Sequence, residues 1–343
     1  MKSVLILQGQ LAEYRRPVFN ALAEEYRVTV MHGGPPNSRP ADRFTEQLAP
    51  ALSVGRFRLQ RPGCVTRAVL AHDVCIAMFE LAWLSYWLPL LMPWRRRIIL
   101  YGHRYGASSL ANFSRDLLMK RASRLLMYGE EELERMIGAG IDPARIDVAP
   151  NTIFVPNTAD YSGAPKSSLL YVGRLQQRKR LELAIRSFAG LQGRIDPSVV
   201  FDIVGAGEPE SELRRCAEEY GLAGQVNFHG AIHDHEQLAQ LFQRAFAYVS
   251  PGPVGLGVLH SFAFGVPVVT LREGYHGPEL HNIEHEVNGL LVDGEQGLED
   301  ALLKLCSDPS WARQLGAAAY QHYAGKRSLE HMLAGFRRAI ELA

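Results

Sequence analysis

Apolar, β-rich runs alternate with helical patterns along nearly the whole chain, and that alternation restricts it to α/β units built on parallel sheets. Runs at residues 3–7, 27–31, 73–79, 97–101, 124–127 and 146–149 predict strands in the first half. A second set, at residues 169–172, 199–204, 226–228, 247–250, 267–270 and 290–292, predicts strands in the second half. Between the sets, residues 150–166 (PNTIFVPNTADYSGAPK) have the Pro, Asn, Ser and Gly content of a linker. The chain therefore divides into a first domain over 1–155 and a second over 156–326, with helical patterns resuming from 309. With 343 residues, 47% of them hydrophobic, both domains have material for a full core. Each reads as a Rossmann-like, doubly wound sheet, which binds ligands at the carboxyl ends of its strands.

Charge and cysteine content exclude several classes. Lys plus Arg is 37 against 36 for Asp plus Glu, a formal net charge of +1, so broad nucleic-acid binding has no electrostatic basis. Cys64, Cys75, Cys216 and Cys306 are scattered without metal-ligand spacing and read as buried, reduced thiols. The start, MKSVLILQGQ, has too short an apolar run for a signal peptide and reads as a first buried strand, so a cytoplasmic location is expected.

The candidate chemistry lies between residues 170 and 270. LLYVGRLQQRKRLELAI runs from a strand through Gly173 and Arg174 into a basic cluster with Lys179, then a helix. SPGPVGLGVLHSFAFGVPVVT is a glycine-rich turn into a short helix and a buried strand. Helix starts expose backbone N–H groups and carry partial positive charge, so they hold phosphates well. Paired in one domain, they point to a diphosphate ligand, most simply a nucleotide-sugar. Gly205 and Gly207, in VGAGEPE, lack the third glycine of a dinucleotide fingerprint. They read as a turn that lets backbone approach a nucleotide, not as an NAD site.

YVGRLQQRK, FDIVGAGEPESELRR, VNFHGAI and GVPVV together cover most of residues 165–295. In this order and spacing they resemble the retaining glycosyltransferases of family 4 (glycosyl transferases group 1), which have the GT-B fold. The resemblance implies two Rossmann-like domains facing a central cleft, with donor on the second and acceptor on the first. It also implies a last helix, about residues 327–343, packing back on the first domain. The implied reaction moves a sugar from a nucleoside-diphosphate donor, with UDP or GDP as the base, onto a hydroxyl of a glycan or lipid-linked glycan. It proceeds with retention, without metal or other cofactor, in surface polysaccharide or glycoconjugate assembly.

In that scheme Arg174 and Lys179 neutralise the leaving diphosphate. Gly173, Gly205, Gly207 and the main chain of Gly255, Leu256 and Gly257 line the donor. His103, ending RRIILYGH, matches a histidine that reaches the donor sugar. The family's pair of glutamates falls at Gly252 and His260, neither acidic. An imidazole can hydrogen-bond ribose hydroxyls, so His260 takes the second role. The first passes to the main chain of 255–257 or to Glu279 in HGPEL. Two other readings stay open: a GT-B-like binding or partner subunit without catalysis, and a nucleotide-sugar epimerase or isomerase on the same architecture.

Three further features matter. Tyr14, Arg15 and Arg16 precede a helix that starts near Pro17, and either face an acceptor, through its phosphate where it bears one, or form an ordinary basic turn. Residues 75–94 (CIAMFELAWLSYWLPLLMPW) read as a strand ending near 79, then an apolar helix with Trp83, Trp87 and Trp94, followed by Arg95, Arg96 and Arg97. Glu80, Pro89 and Pro93 argue against a membrane span, leaving a helix at a membrane surface, on the inner face, or one packed on the sheet. His229, His233 and His235 read as surface or turn residues.

Overall fold

A computed structural model describes the chain except for residues 62, 93–96, 103–108 and 132. It divides into two compact units, Met1–Phe154 with Ser328–Ala343, and Val155–Arg327. The first contains β1 (Ser3–Gln8), β2 (Arg27–His32) and β3 (Thr45–Leu48), then β4 (Ala51–Val54) and β5 (Phe57–Gln60). It continues through β6 (Val74–Met78), β7 (Ile98–Gly102), β8 (Arg124–Met127) and β9 (Ile146–Val148). A parallel sheet has the order β3-β2-β1-β6-β7-β8-β9, and β4 and β5 form a separate antiparallel hairpin. The second unit holds β10 (Ser168–Val172), β11 (Val200–Val204), β12 (Val226–Gly230), β13 (Ala245–Val249), β14 (Val268–Leu271) and β15 (Gly289–Val292). These are parallel in the order β12-β11-β10-β13-β14-β15.

Every residue of β1 and of β13 is buried, because a parallel sheet is covered on both faces. That is why these strands read as unbroken apolar runs. In each sheet the strand order reverses once: β1 lies between β2 and β6, and β10 between β11 and β13. Such reversals leave a crevice at the carboxyl ends of the strands.

The departures from the sequence reading have simple causes. β3 is a polar edge strand (TEQL) without an apolar run, and the β4–β5 hairpin turns at Gly55, where φ is +58°. The stretch after β6 does not make one apolar helix. It breaks into a short helix, Leu84–Trp87, and a 3-10 turn, Leu88–Leu91. Tyr86 and Leu90 are buried, and Trp83 stacks on Tyr86 at 5.0 Å while closing over Gly9 and Gly33. Trp94, Arg95 and Arg96 lie outside the described residues. Among the described residues no helix is long and apolar enough to cross a membrane. His229 is exposed, as read, and it also has a partner. Its Nε2 lies 2.8 Å from Asp202, a fully buried carboxylate in β11 that also takes a two-pronged bond from Arg244 at 3.1 and 2.7 Å. A buried carboxylate needs such partners, and this one recruits the histidine from the neighbouring strand.

The C-terminal helix (Leu329–Glu341) belongs to the first unit. Met332, Leu333, Phe336, Ala339 and Ile340 join the cluster that contains Val4 and Ile6 of β1. Arg124 and Arg338 meet on buried Asp147 at 2.7 and 3.3 Å, tying β8, β9 and the helix together. Gly335 lets this helix touch the end of β9, since a β-carbon there would collide with the Val148 carbonyl. Alanine's helix preference of about 1 kcal/mol over glycine is outweighed by an overpacking cost of ~1–3 kcal/mol. Gly335→Ala therefore lowers the melting temperature, and Gly335→Val lowers it further; a rise in a thermal melt contradicts the contact.

Candidate functional site

The loops leaving β10 and β13 flank the reversal point of the second sheet. After β10 the chain passes Gly173 and Arg174, makes the 3-10 turn Gln177–Lys179, and enters helix Leu181–Ala189 through Arg180. Arg180 is left-handed, with φ of +56°, an uncommon state for a bulky residue. The loop is fastened mostly by backbone. Gly173 N–H donates to Val204 O at 2.9 Å, Leu175 N–H to Ala206 O at 3.0 Å, and Gly252 N–H to Lys179 O at 3.1 Å.

Glycines permit these approaches. A β-carbon at Gly205 would collide with Gly173 O, one at Gly207 with Leu175 O, and one at Gly252 with Arg178 O. Gly205 and Gly207, expected to let backbone near a nucleotide, are thus required first by the neighbouring loop. Gly252 is closed in the same way, so the position of the family's first glutamate has no room for a side chain.

Two tyrosines that sequence reasoning passed over support the loops from below. Tyr171 Oη donates to Arg174 O at 3.0 Å, and Tyr248 Oη to Val172 O at 3.0 Å, with the rings stacked at 5.9 Å. Gly257 is needed because a β-carbon there would strike the Tyr248 hydroxyl. The available signal was a tyrosine near the end of each aliphatic strand, LLYV and AFAYV: a buried hydroxyl must find an acceptor.

The charges are arranged around this backbone. Lys179 is half-buried and donates from Nζ to the Pro253 carbonyl. Burial, reinforced by Arg178 and opposed by Glu279, lowers its amine from 10.5 to about 8. The structure thus brings Lys179, the loop after β13 and Glu279 into one electrostatic neighbourhood. Arg174, Arg178 and Arg180 are exposed. Glu279 sits in the 3-10 turn Pro278–Asn282. Shortly before it, His276 has a buried Nδ1 without a hydrogen-bond partner among the described residues, a group that a polar ligand atom would satisfy.

Gly255, with φ of +55°, and Leu256 lead into helix Gly257–Phe262, which carries His260. The His260 ring packs 4.9 Å from Phe242 and 5.7 Å from Phe264. Burial, with a smaller push from His235, lowers its pKa to about 4, so it is neutral near pH 7. Its side chain has no hydrogen bond within the described residues, which leaves imidazole nitrogens for a ligand hydroxyl.

The first-unit candidates are placed differently. Arg15, 3% exposed, donates to the Tyr101 and Tyr128 hydroxyls and lies over the rings of Tyr14, Tyr101 and Tyr128 at 5.1, 5.1 and 5.3 Å. Arg16 is buried against Asp42, Glu13 and the Asn37 carbonyl. Both guanidinium groups turn into the fold and lock the loop after β1, instead of facing an acceptor. Tyr14 stays partly exposed. His103 lies outside the described residues.

Because position 252 is closed by Arg178 and Lys179, Gly252→Glu should not restore a working carboxylate. It overpacks the loop pair and lowers unfolding free energy by ~1–3 kcal/mol, read from denaturant titration. An unchanged midpoint contradicts the close approach.

Residues 162–322 match the family model described as glycosyl transferases group 1. The D-inositol 3-phosphate glycosyltransferase of Thermobifida fusca is 28% identical over 252 residues, 66% of this chain and 57% of that protein. The Mycobacterium tuberculosis protein of the same name is 29% identical over 252 residues, 65% of this chain and 50% of its own. The chain thus spans about half the length of the curated relatives it matches. Among solved structures, Anabaena HepE in complex with UDP superposes with a TM-score of 0.74 at 18% identity, covering 99% of this chain and 100% of that one. Sucrose-phosphate synthase from Thermosynechococcus elongatus gives 0.71 at 20% identity, covering 99% and 98%. At these identities the structural likeness is one of fold. The chain therefore has the GT-B fold, and its residues 162–322 are similar to the glycosyl transferases group 1 family.

Proposed function

We propose that this protein transfers a sugar from a nucleoside-diphosphate donor to a hydroxyl acceptor, with retention at the anomeric carbon. One observation carries the reading: a half-buried Lys179 amine, held at Pro253 and in the field of Glu279, lies on the same loop as exposed Arg174, at the reversal point of the second sheet. These cations oppose the charge that grows on the leaving diphosphate as the C1–O bond breaks. The acceptor oxygen bonds to C1 on the same face and gives its proton to a diphosphate oxygen, so no protein base is required. Arg174 and Lys179 supply the charge neutralisation, and the scheme needs no metal. Glu279 and the main chain of residues 255–257 take the sugar, and His260 the ribose.

UDP is the favoured base, since HepE, whose fold this chain shares, is seen with UDP and with UDP-glucose. The second unit is assigned the donor and the first the acceptor, a glycan or lipid-linked glycan in surface polysaccharide or glycoconjugate assembly. A binding subunit without turnover is the second reading, favoured by the absence of room for a carboxylate at Gly252.

A thermal-shift series with UDP, GDP, ADP, dTDP and CMP tests the donor site. Saturation at one hundred times the dissociation constant stabilises the native state by ~2.7 kcal/mol. UDP should give that shift, and Arg174→Ala with Lys179→Ala should lose it. UDP release from a UDP-sugar that depends on acceptor then separates transfer from binding alone, and Lys179→Ala should cut its rate about 100-fold. A chain that no nucleoside diphosphate stabilises contradicts the donor site.

A further inference from the structure

The first unit carries a groove of about 650 Å³ that none of the candidate donor residues among the described ones touches. It is lined by Phe57 of β5, by Trp87 and Leu91 from the stretch after β6, and by Leu110, Phe113 and Leu117 of helix Ser109–Arg121. Those last three recur at helical spacing and share one face. They are 75%, 69% and 55% exposed. The hairpin extends the apolar surface: Val54 pairs with Phe57 and Leu52 with Leu59, and Leu52 and Val54 are 76% and 66% exposed. A water-soluble face seldom gathers so many large apolar side chains.

The same region concentrates positive charge. Among the described residues of 51–121 there are eight Lys and Arg against three Asp and Glu, in a chain whose formal net charge is only +1. In the groove itself Arg56 and Arg115 stand against Glu80. Neither arginine makes an ion pair among the described residues.

We infer that this face docks on an anionic lipid bilayer, with Leu110, Phe113 and Leu117 entering the acyl boundary and the arginines meeting lipid phosphates. Apolar side chains flanked by Arg56 and Arg115 suit that interface, where arginine stems lie along hydrocarbon and their heads reach the phosphates. The charge selects this occupant. A second copy of the chain would bring like charge to like charge, and a neutral partner would leave the cations unused. The sequence placed membrane contact on Trp83, Trp87 and Trp94. Trp83 and Trp87 prove half-buried, and the exposed apolar face lies on the later helix. The inference stands apart from the glycosyl-transfer reading.

Co-sedimentation of the full chain with vesicles tests it, using phosphatidylcholine alone and phosphatidylcholine containing phosphatidylglycerol, at low and high salt. The chain should pellet with the anionic vesicles, and less so at high salt. Phe113→Glu with Leu117→Glu should reduce partitioning at least about tenfold. Arg56→Ala with Arg115→Ala should reduce it about tenfold on anionic vesicles. Arg56, Phe113 and Leu117 are exposed and Arg115 is half-buried with a bond to Asn112, so a melting temperature that holds shows that each variant is folded. Three results overturn the inference: no pelleting with anionic vesicles, pelleting unchanged by the paired glutamates, or a dimer in ultracentrifugation that Phe113→Glu dissolves.

Discussion

The second unit depends on bare backbone meeting bare backbone. The loop after β10 lies against the loops after β11 and β13 with no side chain between them, at Gly205, Gly207 and Gly252. Three short hydrogen bonds and two tyrosine hydroxyls fix that arrangement. It sets where Lys179 starts, and therefore where its amine can reach. A side chain at any of the three glycines would separate the loops by about an atom's width, and positioning errors of that size are costly in catalysis. The glycine-rich character of the region is thus a property of loop contact before it is a property of ligand contact.

The chemistry on that platform is a balance of burial against charge. An amine drawn into the fold and held by a carbonyl loses part of its affinity for a proton, and Glu279 restores some of it. Arg174 differs in kind: its exposed, planar guanidinium presents several donors. In the proposed donor site this guanidinium works with an amine whose charge responds to what binds. His260 enters that proposed site as a neutral ring held by Phe242 and Phe264, suited to hydroxyls and not to a phosphate.

Much of this was legible in the sequence, for physical reasons. Strands buried on both faces announce themselves as apolar runs, and the order of strand, Gly-Arg, Lys and helix placed Arg174 and Lys179 correctly at the end of β10. The edge strand β3 was silent because a polar edge carries no such run, and the β4–β5 hairpin because Ser53 and Arg58 interrupt its four-residue strands. The Tyr171–Tyr248 pair and the closure at Gly252 join residues that are distant in sequence, so no local pattern encodes them. Arg15 and Arg16 read as a surface turn or an acceptor contact, since nothing local reveals a tyrosine cage or a carboxylate at Asp42. The exposed apolar face escaped notice because Leu110, Phe113 and Leu117 look like any core-facing stripe until the fold shows them exposed.

The most direct test is the ionisation of Lys179 itself, followed by NMR of chain labelled at lysine Cε, with its resonance assigned from Lys179→Arg. The amine should titrate near 8 in the free chain, against 10.5 for an ordinary lysine, and rise on adding UDP as the diphosphate stabilises its charge. Lys166, buried elsewhere in the unit and also lowered to about 8, should not respond to UDP and serves as the control. A Lys179 amine that titrates near 10.5, or one that saturating UDP leaves unmoved, contradicts a diphosphate site built on this loop.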